Sequence, residues 1–192
     1  MRMGKLEKLF VNAPVHSSRV SEHAERMLAF TSARGGETYL DAGCGNGSAA
    51  IRIATKQRLW VTGVDVDPEQ IRIAREAAKD VGNVFFMPAD VTRLPFESGE
   101  FDFVATNKAT HHIPNWTAAL SELVRVLKPG GCLIYSDLVF PRWLASVAKR
   151  RFRDIGFPTA KVLDVVAKRY WLSAVHLARS PVHYEAVWRK PA

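Results

Sequence analysis

The sequence predicts an α/β fold: a mostly parallel sheet with helices on both faces. Three observations carry that reading. From Glu37 onward, short apolar runs alternate with helical patterns, as in repeated βα units. The first apolar run ends in a turn containing Gly43, Gly45 and Gly47. Near the end of the chain, two apolar segments flank Ser180-Pro181, as in an antiparallel hairpin.

Each element has a local reason. Thr38–Ala42 is the first strand, and a helix is expected from about Ser48 to Lys56. The second strand, Trp60–Val64, ends at Asp65. Asp67 is an N-cap, Pro68 suits the first helical position, and Gln70 would complete a capping box. Ile71, Ala74 and Ala78 give that helix its apolar face, and Gly82 is placed to end it. Val84–Met87 and Phe101–Ala105 are the third and fourth strands. Trp116, Leu120, Leu123 and Leu127 make one stripe of a helix over Asn115–Leu127. Lys128-Pro-Gly-Gly131 stops it before a fifth strand, Cys132–Ser136. Leu172–Ala178 and His183–Trp188 form the hairpin. Residues 1–36 are assigned to an N-terminal helical lid or edge segment, with Val20, Ala24, Met27 and Leu28 on its apolar side. Residues 37–192 are assigned to the sheet domain.

Composition narrows the class. The 192 residues are 47% hydrophobic, enough for one domain with a sizeable core and unlike a disordered chain. No apolar run is long enough to cross a bilayer. Met1–Val15 contains Lys5, Glu7 and Lys8 and lacks the uninterrupted apolar stretch of a signal peptide, so a cytoplasmic location is expected. Cys44 and Cys132 lie in separate apolar segments, which predicts neither a disulfide scaffold nor a metal site. The net charge of +8 could serve a polyanion. The densest cluster, Lys149, Arg150, Arg151 and Arg153, lacks a repeated basic–aromatic pattern. It reads as solvated surface, and nucleic acid is not the favoured partner.

The chemistry concentrates after the strands. Glycines after the first strand permit positive φ and close approach of a ligand, and the following helix offers free N–H groups. Gly43, Cys44, Gly45 and Gly47 are counted as cofactor-binding residues of that loop, although the Cys44 thiol is given no chemistry. Asp41, just before the turn, would repel a phosphate but suits a ligand bearing ammonium and sulfonium groups. Asp65, with Val66 beside it, can accept from both ribose hydroxyls, and Asp67 already fills the N-cap role. NAD enzymes use the same device, so Asp65 indicates a ribose and not a cofactor. Asp90, after the third strand, can accept from the exocyclic amine of adenine while the Val91 N–H donates to the ring.

In order along the chain, these motifs are Leu40-Asp-Ala-Gly-Cys-Gly-Asn-Gly47, Gly63-Val-Asp-Val-Asp67 and Ala89-Asp-Val-Thr-Arg-Leu-Pro-Phe96. Phe101-Asp-Phe-Val-Ala-Thr-Asn107, His111-His112 and Leu123-Val-Arg-Val-Leu-Lys-Pro-Gly-Gly131 follow. Together they resemble the class I S-adenosylmethionine-dependent methyltransferases, in the small-molecule branch that includes the ubiquinone and menaquinone C-methyltransferases. The resemblance covers residues 37–137 closely and the rest loosely. It implies a Rossmann-like seven-stranded sheet, order 3-2-1-4-5-7-6 with the last strand antiparallel, S-adenosylmethionine as cofactor and a small-molecule methyl acceptor. It also implies that Asp41, Gly43 and Gly45 line the methionine end, Asp65 holds the ribose, and Asp90 and Val91 hold the adenine. Asn107 would sit beside the sulfonium. Gly45, at the centre of the loop, is expected to be the least replaceable residue for cofactor binding. The family often has Thr where this chain has Asn46, which is also small and polar. Val139–Tyr170 matches no family motif and lies where, with the N-terminal helices, family substrate specificity tends to reside.

Methyl transfer from a sulfonium needs alignment above all, and a base only when the acceptor must lose a proton. His111 and His112 are the candidates for that base, and Lys108 could orient an anionic acceptor. Competing functions fit less well. A dehydrogenase fingerprint would end on a small residue where Ser48 stands, and leaves Asp90 unexplained. An adenine-N6 DNA methyltransferase would carry Asn/Asp-Pro-Pro-Tyr where this chain has Thr106-Asn-Lys-Ala-Thr-His111. A cytosine-C5 enzyme would need a cysteine nucleophile near there. A non-catalytic cofactor-binding subunit, or an RNA methyltransferase using the basic surface, is the alternative.

Overall fold

A seven-stranded sheet organises the chain. The computed structural model describes residues 14–141, 143, 145 and 156–192. Its strands are β1 (Thr38–Ala42), β2 (Trp60–Asp65), β3 (Val84–Pro88), β4 (Phe101–Asn107), β5 (Leu127–Leu138), β6 (Ser173–Arg179) and β7 (His183–Arg189). They lie in the order β3-β2-β1-β4-β5-β7-β6. The first five pair in parallel, and β7 runs antiparallel between β5 and β6. This is the order the family resemblance implied.

The helices are α1 (Pro14–Leu28), α2 (Ser48–Gln57), α3 (Pro68–Ala77), α4 (Trp116–Val126) and α5 (Ala160–Arg169). They cover both faces, which is why the central strands are apolar on both sides. On one face, Leu120 and Leu123 of α4 and Leu163 of α5 pack on Leu133, Tyr135 and Tyr184. On the other, Met27, Ile53 and Ile71 pack on Val61, Phe86 and Val187. Leu123 and Leu133 are fully buried, and truncating either to alanine costs about 2–5 kcal/mol.

Helix α1 buries Ala24, Met27 and Leu28 as its apolar stripe predicts. Glu25 pairs with Arg52 of α2 at 2.6 Å, and Asn46 donates to Ser17 at 2.9 Å. The helix therefore belongs to the same packed body as the sheet.

Four local expectations change. Asp67 caps α3 by accepting from Glu69 N–H at 3.0 Å, but Gln70 does not close a capping box. The Asp67 N–H already donates to Asp65 at 2.9 Å, and Gln70 is fully buried instead. Helix α3 ends at Ala77, ahead of Gly82, where Ala78 leaves helical geometry at φ −104° and ψ 7°. Lys128–Gly131 does end α4, but is drawn into β5 across an irregular register opposite Phe101 and Phe103. Strand β4 runs two residues further than expected, so Asn107 closes the strand and does not follow it.

Lys149, Arg150, Arg151 and Arg153 lie outside the described residues. Among the described residues, no helix is long and apolar enough to cross a membrane.

Candidate functional site

The strand order reverses between β1 and β4, and at such a point the carboxyl ends of the strands leave a crevice. Here a cavity of about 630 Å³ opens along that edge. Each strand end contributes in turn: Asp90 and Val91 after β3, Asp65 and Val66 from β2, Gly43 to Asn46 after β1, and Asn107 from β4. A 3-10 turn, Thr110–His112, brings in His111 and His112, while Ser17 and Val20 of α1 close one side.

The glycine loop is built from backbone bonds. Gly43 and Cys44 N–H both donate to Val64 O, at 2.8 and 2.9 Å. Gly43, Gly45 and Gly47 all have positive φ, at 82°, 53° and 77°. A β-carbon on Gly43 would lie 2.5 Å from Ala109 Cβ, and one on Gly47 would lie 2.6 Å from Phe86 Cζ. At Gly45 the nearest atom would be Gln70 Oε1 at 4.0 Å. The protein itself is therefore tightest at Gly43 and Gly47, not at Gly45. Gly47 does not line the cavity; it lets α2 approach β3 and α3.

The carboxylates differ in setting. Asp65 accepts from Gly45 N–H and Asp67 N–H, both at 2.9 Å. Burial pushes its carboxyl up, and these backbone bonds partly offset that. Asp41 is buried below the loop, outside the cavity wall, and its Oδ2 has no hydrogen-bond partner among the described residues. Burial first, and then the charge of Asp65, raise its carboxyl to about 7. Asp90 is exposed and accepts Thr92 N–H and O–H on Oδ1, both at 2.8 Å. The Cys44 thiol is pushed well up by burial and by Asp41 and Asp65, so it is inert as a nucleophile.

A buried pair stands at the β4–β5 end. His111 Nδ1 lies 2.5 Å from Asp137 Oδ1, and Asp137 Oδ2 accepts Thr110 N–H at 2.7 Å. Burial works against a charge on Asp137. The bond and charge of His111 and the bond from Thr110 outweigh it and hold the carboxyl below its ordinary value. A carboxylate only accepts, so His111 Nδ1 carries a proton in this pair, and in the neutral ring Nε2 is the acceptor. His112 packs its ring on His111, with centroids 3.9 Å apart.

The family described as "Methyltransferase domain" matches residues 40–135, half of the chain. The chain belongs to the methyltransferase domain family. It is 36% identical over 147 residues to the 27-O-demethylrifamycin SV methyltransferase of Amycolatopsis mediterranei, covering 73% of this chain and 54% of that protein. It is 32% identical over 112 residues to a demethylmenaquinone methyltransferase of Staphylococcus saprophyticus, covering 57% and 48%. The chain thus spans about half the length of the curated relatives it matches. A solved SAM dependent methyltransferase from Aquifex aeolicus shares the fold, with TM-score 0.74 and 18% identity over 98% of this chain and all of that one.

This methyltransferase domain fits the cofactor its family implies, S-adenosylmethionine. The Asn107 amide is buried at the cavity with neither Nδ2 nor Oδ1 bonded among the described residues. It offers a donor and an acceptor to a ligand's amino-acid portion. Asp65 keeps lone pairs for a ribose diol, and Asp90 keeps Oδ2 for an adenine amine.

Of the residues predicted from sequence, the cavity gathers Gly43, Cys44, Gly45, Asp65, Val66, Asp90, Val91, Asn107, His111 and His112. Asp41 and Gly47 stand behind it. Sequence reasoning missed Asp137. Its signal was an acid ending the otherwise apolar run Cys132-Leu-Ile-Tyr-Ser, in register with the end of β4. Ser17 and Val20 were also missed as wall residues.

Proposed function

We propose that this chain binds S-adenosylmethionine and transfers its methyl group to a hydroxyl of a small molecule. The observation that carries the hydroxyl is the His111–Asp137 pair beside the cavity. When bound, S-adenosylmethionine supplies a methyl group already activated on a sulfonium. Asp65 and Asp90 hold the ribose and adenine, with Val66 and Val91 against the nucleoside, and Asn107 orients the amino-acid end. The loop from Gly43 to Gly45 brings backbone close to that end, and Asp41 lies beneath it with a carboxyl that a bound cation would favour in its ionised form.

Holding acceptor and donor in line contributes on the order of 7–11 kcal/mol. Asp137 fixes the His111 ring in the tautomer whose Nε2 accepts a proton. An alcohol or phenol is a poor acid and gains most from such a base. His112 and the apolar wall of Ile113, Pro114 and Leu138 exclude water. The name of the rifamycin relative specifies an oxygen acceptor in that protein, which supports the reading.

The test is tritiated methyl transfer to a cell extract separated into small molecules, RNA and protein. Label in the small-molecule fraction is expected. Label confined to RNA or protein would overturn the acceptor class. Tight S-adenosylhomocysteine binding with no transfer to any fraction would mark a non-catalytic subunit.

A further inference from the structure

The cavity is electrically divided along the strand order. Its β3 and β2 end carries the carboxylates Asp90 and Asp65. Its β4 and β5 end carries Lys108, His111 and His112, and among the described residues no acid lines it there. Asp137 lies behind His111, fully buried and already accepting from His111, Thr110 and Leu138.

Lys108, which the sequence offered as a residue to orient an anionic acceptor, has no part in holding the cofactor. It follows Asn107 directly, and its backbone is left-handed with φ 52°. Its N–H donates to Ser136 O at 2.8 Å, which fixes the turn. A lysine is strained there, where asparagine or glycine would sit more easily. Lys108 is exposed and lines the cavity, its charge also reaches His23, and among the described residues its ammonium has neither an ion pair nor a hydrogen bond. Backbone strain at a cavity wall, around a cation that the fold does not use, is a feature of ligand sites. Ala109, Ile113, Pro114 and Leu138 give this end apolar walls, with the amide of Asn115 beside them.

We infer that the methyl acceptor is a hydroxy acid: an apolar body carrying an oxyanion that pairs with Lys108 and a hydroxyl that meets His111. The inference rests on the methyltransferase reading above. The division of charge then has a use at both ends. The acidic end receives the neutral, donor-rich nucleoside, and the cationic end receives the anion. An anionic acceptor gains a charge-assisted hydrogen bond from Lys108 that a neutral one cannot make.

Paired ligands test this on the full chain. The probes are para-hydroxybenzoate and beta-hydroxydecanoate, each beside its neutral methyl ester, with and without S-adenosylhomocysteine. The proteins are wild type, Lys108→Asn and Lys108→Arg. Asparagine accepts the left-handed backbone, so Lys108→Asn removes the charge and keeps the turn. At least one acid should bind wild type about tenfold or more tighter than its ester, as for a charge-assisted hydrogen bond. The preference should vanish in Lys108→Asn and persist in Lys108→Arg, with S-adenosylhomocysteine affinity unchanged in both. Equal binding of acids and esters by wild type, or a preference that survives Lys108→Asn, overturns the hydroxy-acid inference and leaves the methyltransferase reading standing. A Lys108-dependent preference in a protein that does not bind S-adenosylhomocysteine keeps the anion site and overturns the methyltransferase reading.

Discussion

Asp65 holds Gly45 from across the cavity floor: the Gly45 N–H donates to Asp65 Oδ2 at 2.9 Å, while Oδ1 accepts the Asp67 N–H at the same distance. One carboxylate thus fixes the glycine loop and the start of α3 together, and still has lone pairs for a ribose. Asp65→Asn keeps one acceptor and turns an NH2 toward a backbone donor, so one of the two bonds is lost. S-adenosylhomocysteine affinity should fall by about 1–3 kcal/mol. The melting temperature should fall as well, and further in Asp65→Ala, because both backbone donors then lose their acceptor. Calorimetry and melting curves on the same preparations check both parts. Unchanged affinity in a folded variant would remove Asp65 from the site.

The three loop glycines should respond differently to a methyl group. Gly47→Ala places Cβ 2.6 Å from Phe86 Cζ and 2.8 Å from Ala74 Cβ, and Gly43→Ala places it 2.5 Å from Ala109 Cβ. Both should lower stability without any ligand, by about 1–3 kcal/mol for overpacking. At Gly45 the added carbon has room and only the positive φ resists it. Gly45→Asn should therefore melt near wild type yet bind S-adenosylhomocysteine more weakly. A Gly45→Asn protein as unstable as Gly47→Ala would refute this ranking.

Much of this could be read from the sequence because strand-end residues and turn glycines have short-range causes. Asp65 and Asp90 follow from where an apolar run stops, whereas the strand order and the place of Asn107 came from the family resemblance. What the sequence concealed depended on contacts between distant segments. Gln70 looked like a capping residue until Asp65 took the donor it would have bonded. Asp137 looked like the end of a strand; its meaning comes from a histidine 26 residues earlier, brought alongside by parallel pairing of β4 and β5. Gly47 belonged to the binding motif by spacing, but Phe86 and Ala74 press against its Cα side from two other elements.

The raised carboxyl of Asp41 makes a pH prediction. Its ordinary value is 3.8, and burial and Asp65 lift it to about 7 in the ligand-free fold. The unfolded chain therefore loses this proton before the folded one does. Asp41's contribution is complete below pH 3.8 and is lost as pH rises to about 7, where a buried charge begins to form. Asp41→Asn, which cannot ionise, should be more stable than wild type at pH 8 by an amount on the order of 1–4 kcal/mol, with the gap closing near pH 4. Melting curves across that range give the answer. A gap independent of pH would mean that Asp41 ionises normally in the fold.

The His111–Asp137 pair should separate catalysis from binding. His111→Gln removes the base while leaving the nucleoside contacts alone. Methyl transfer should drop about 10²- to 10⁴-fold, the usual contribution of a positioned base, with S-adenosylhomocysteine affinity unchanged. Asp137→Asn should lower transfer through the ring's orientation and tautomer, and should shift the pH profile of kcat/KM, which a purely structural change would not do. Stability supplies a second readout. Asp137's carboxyl is held below its ordinary value, so the stabilisation it brings is present above that value and is lost as pH falls through the folded one. The stability gap between wild type and Asp137→Asn should therefore be widest near neutral pH and shrink in acid. If His111→Gln transfers methyl groups at the wild-type rate to the same acceptor, then positioning alone suffices, and the hydroxyl acceptor argued from this pair would have to be given up.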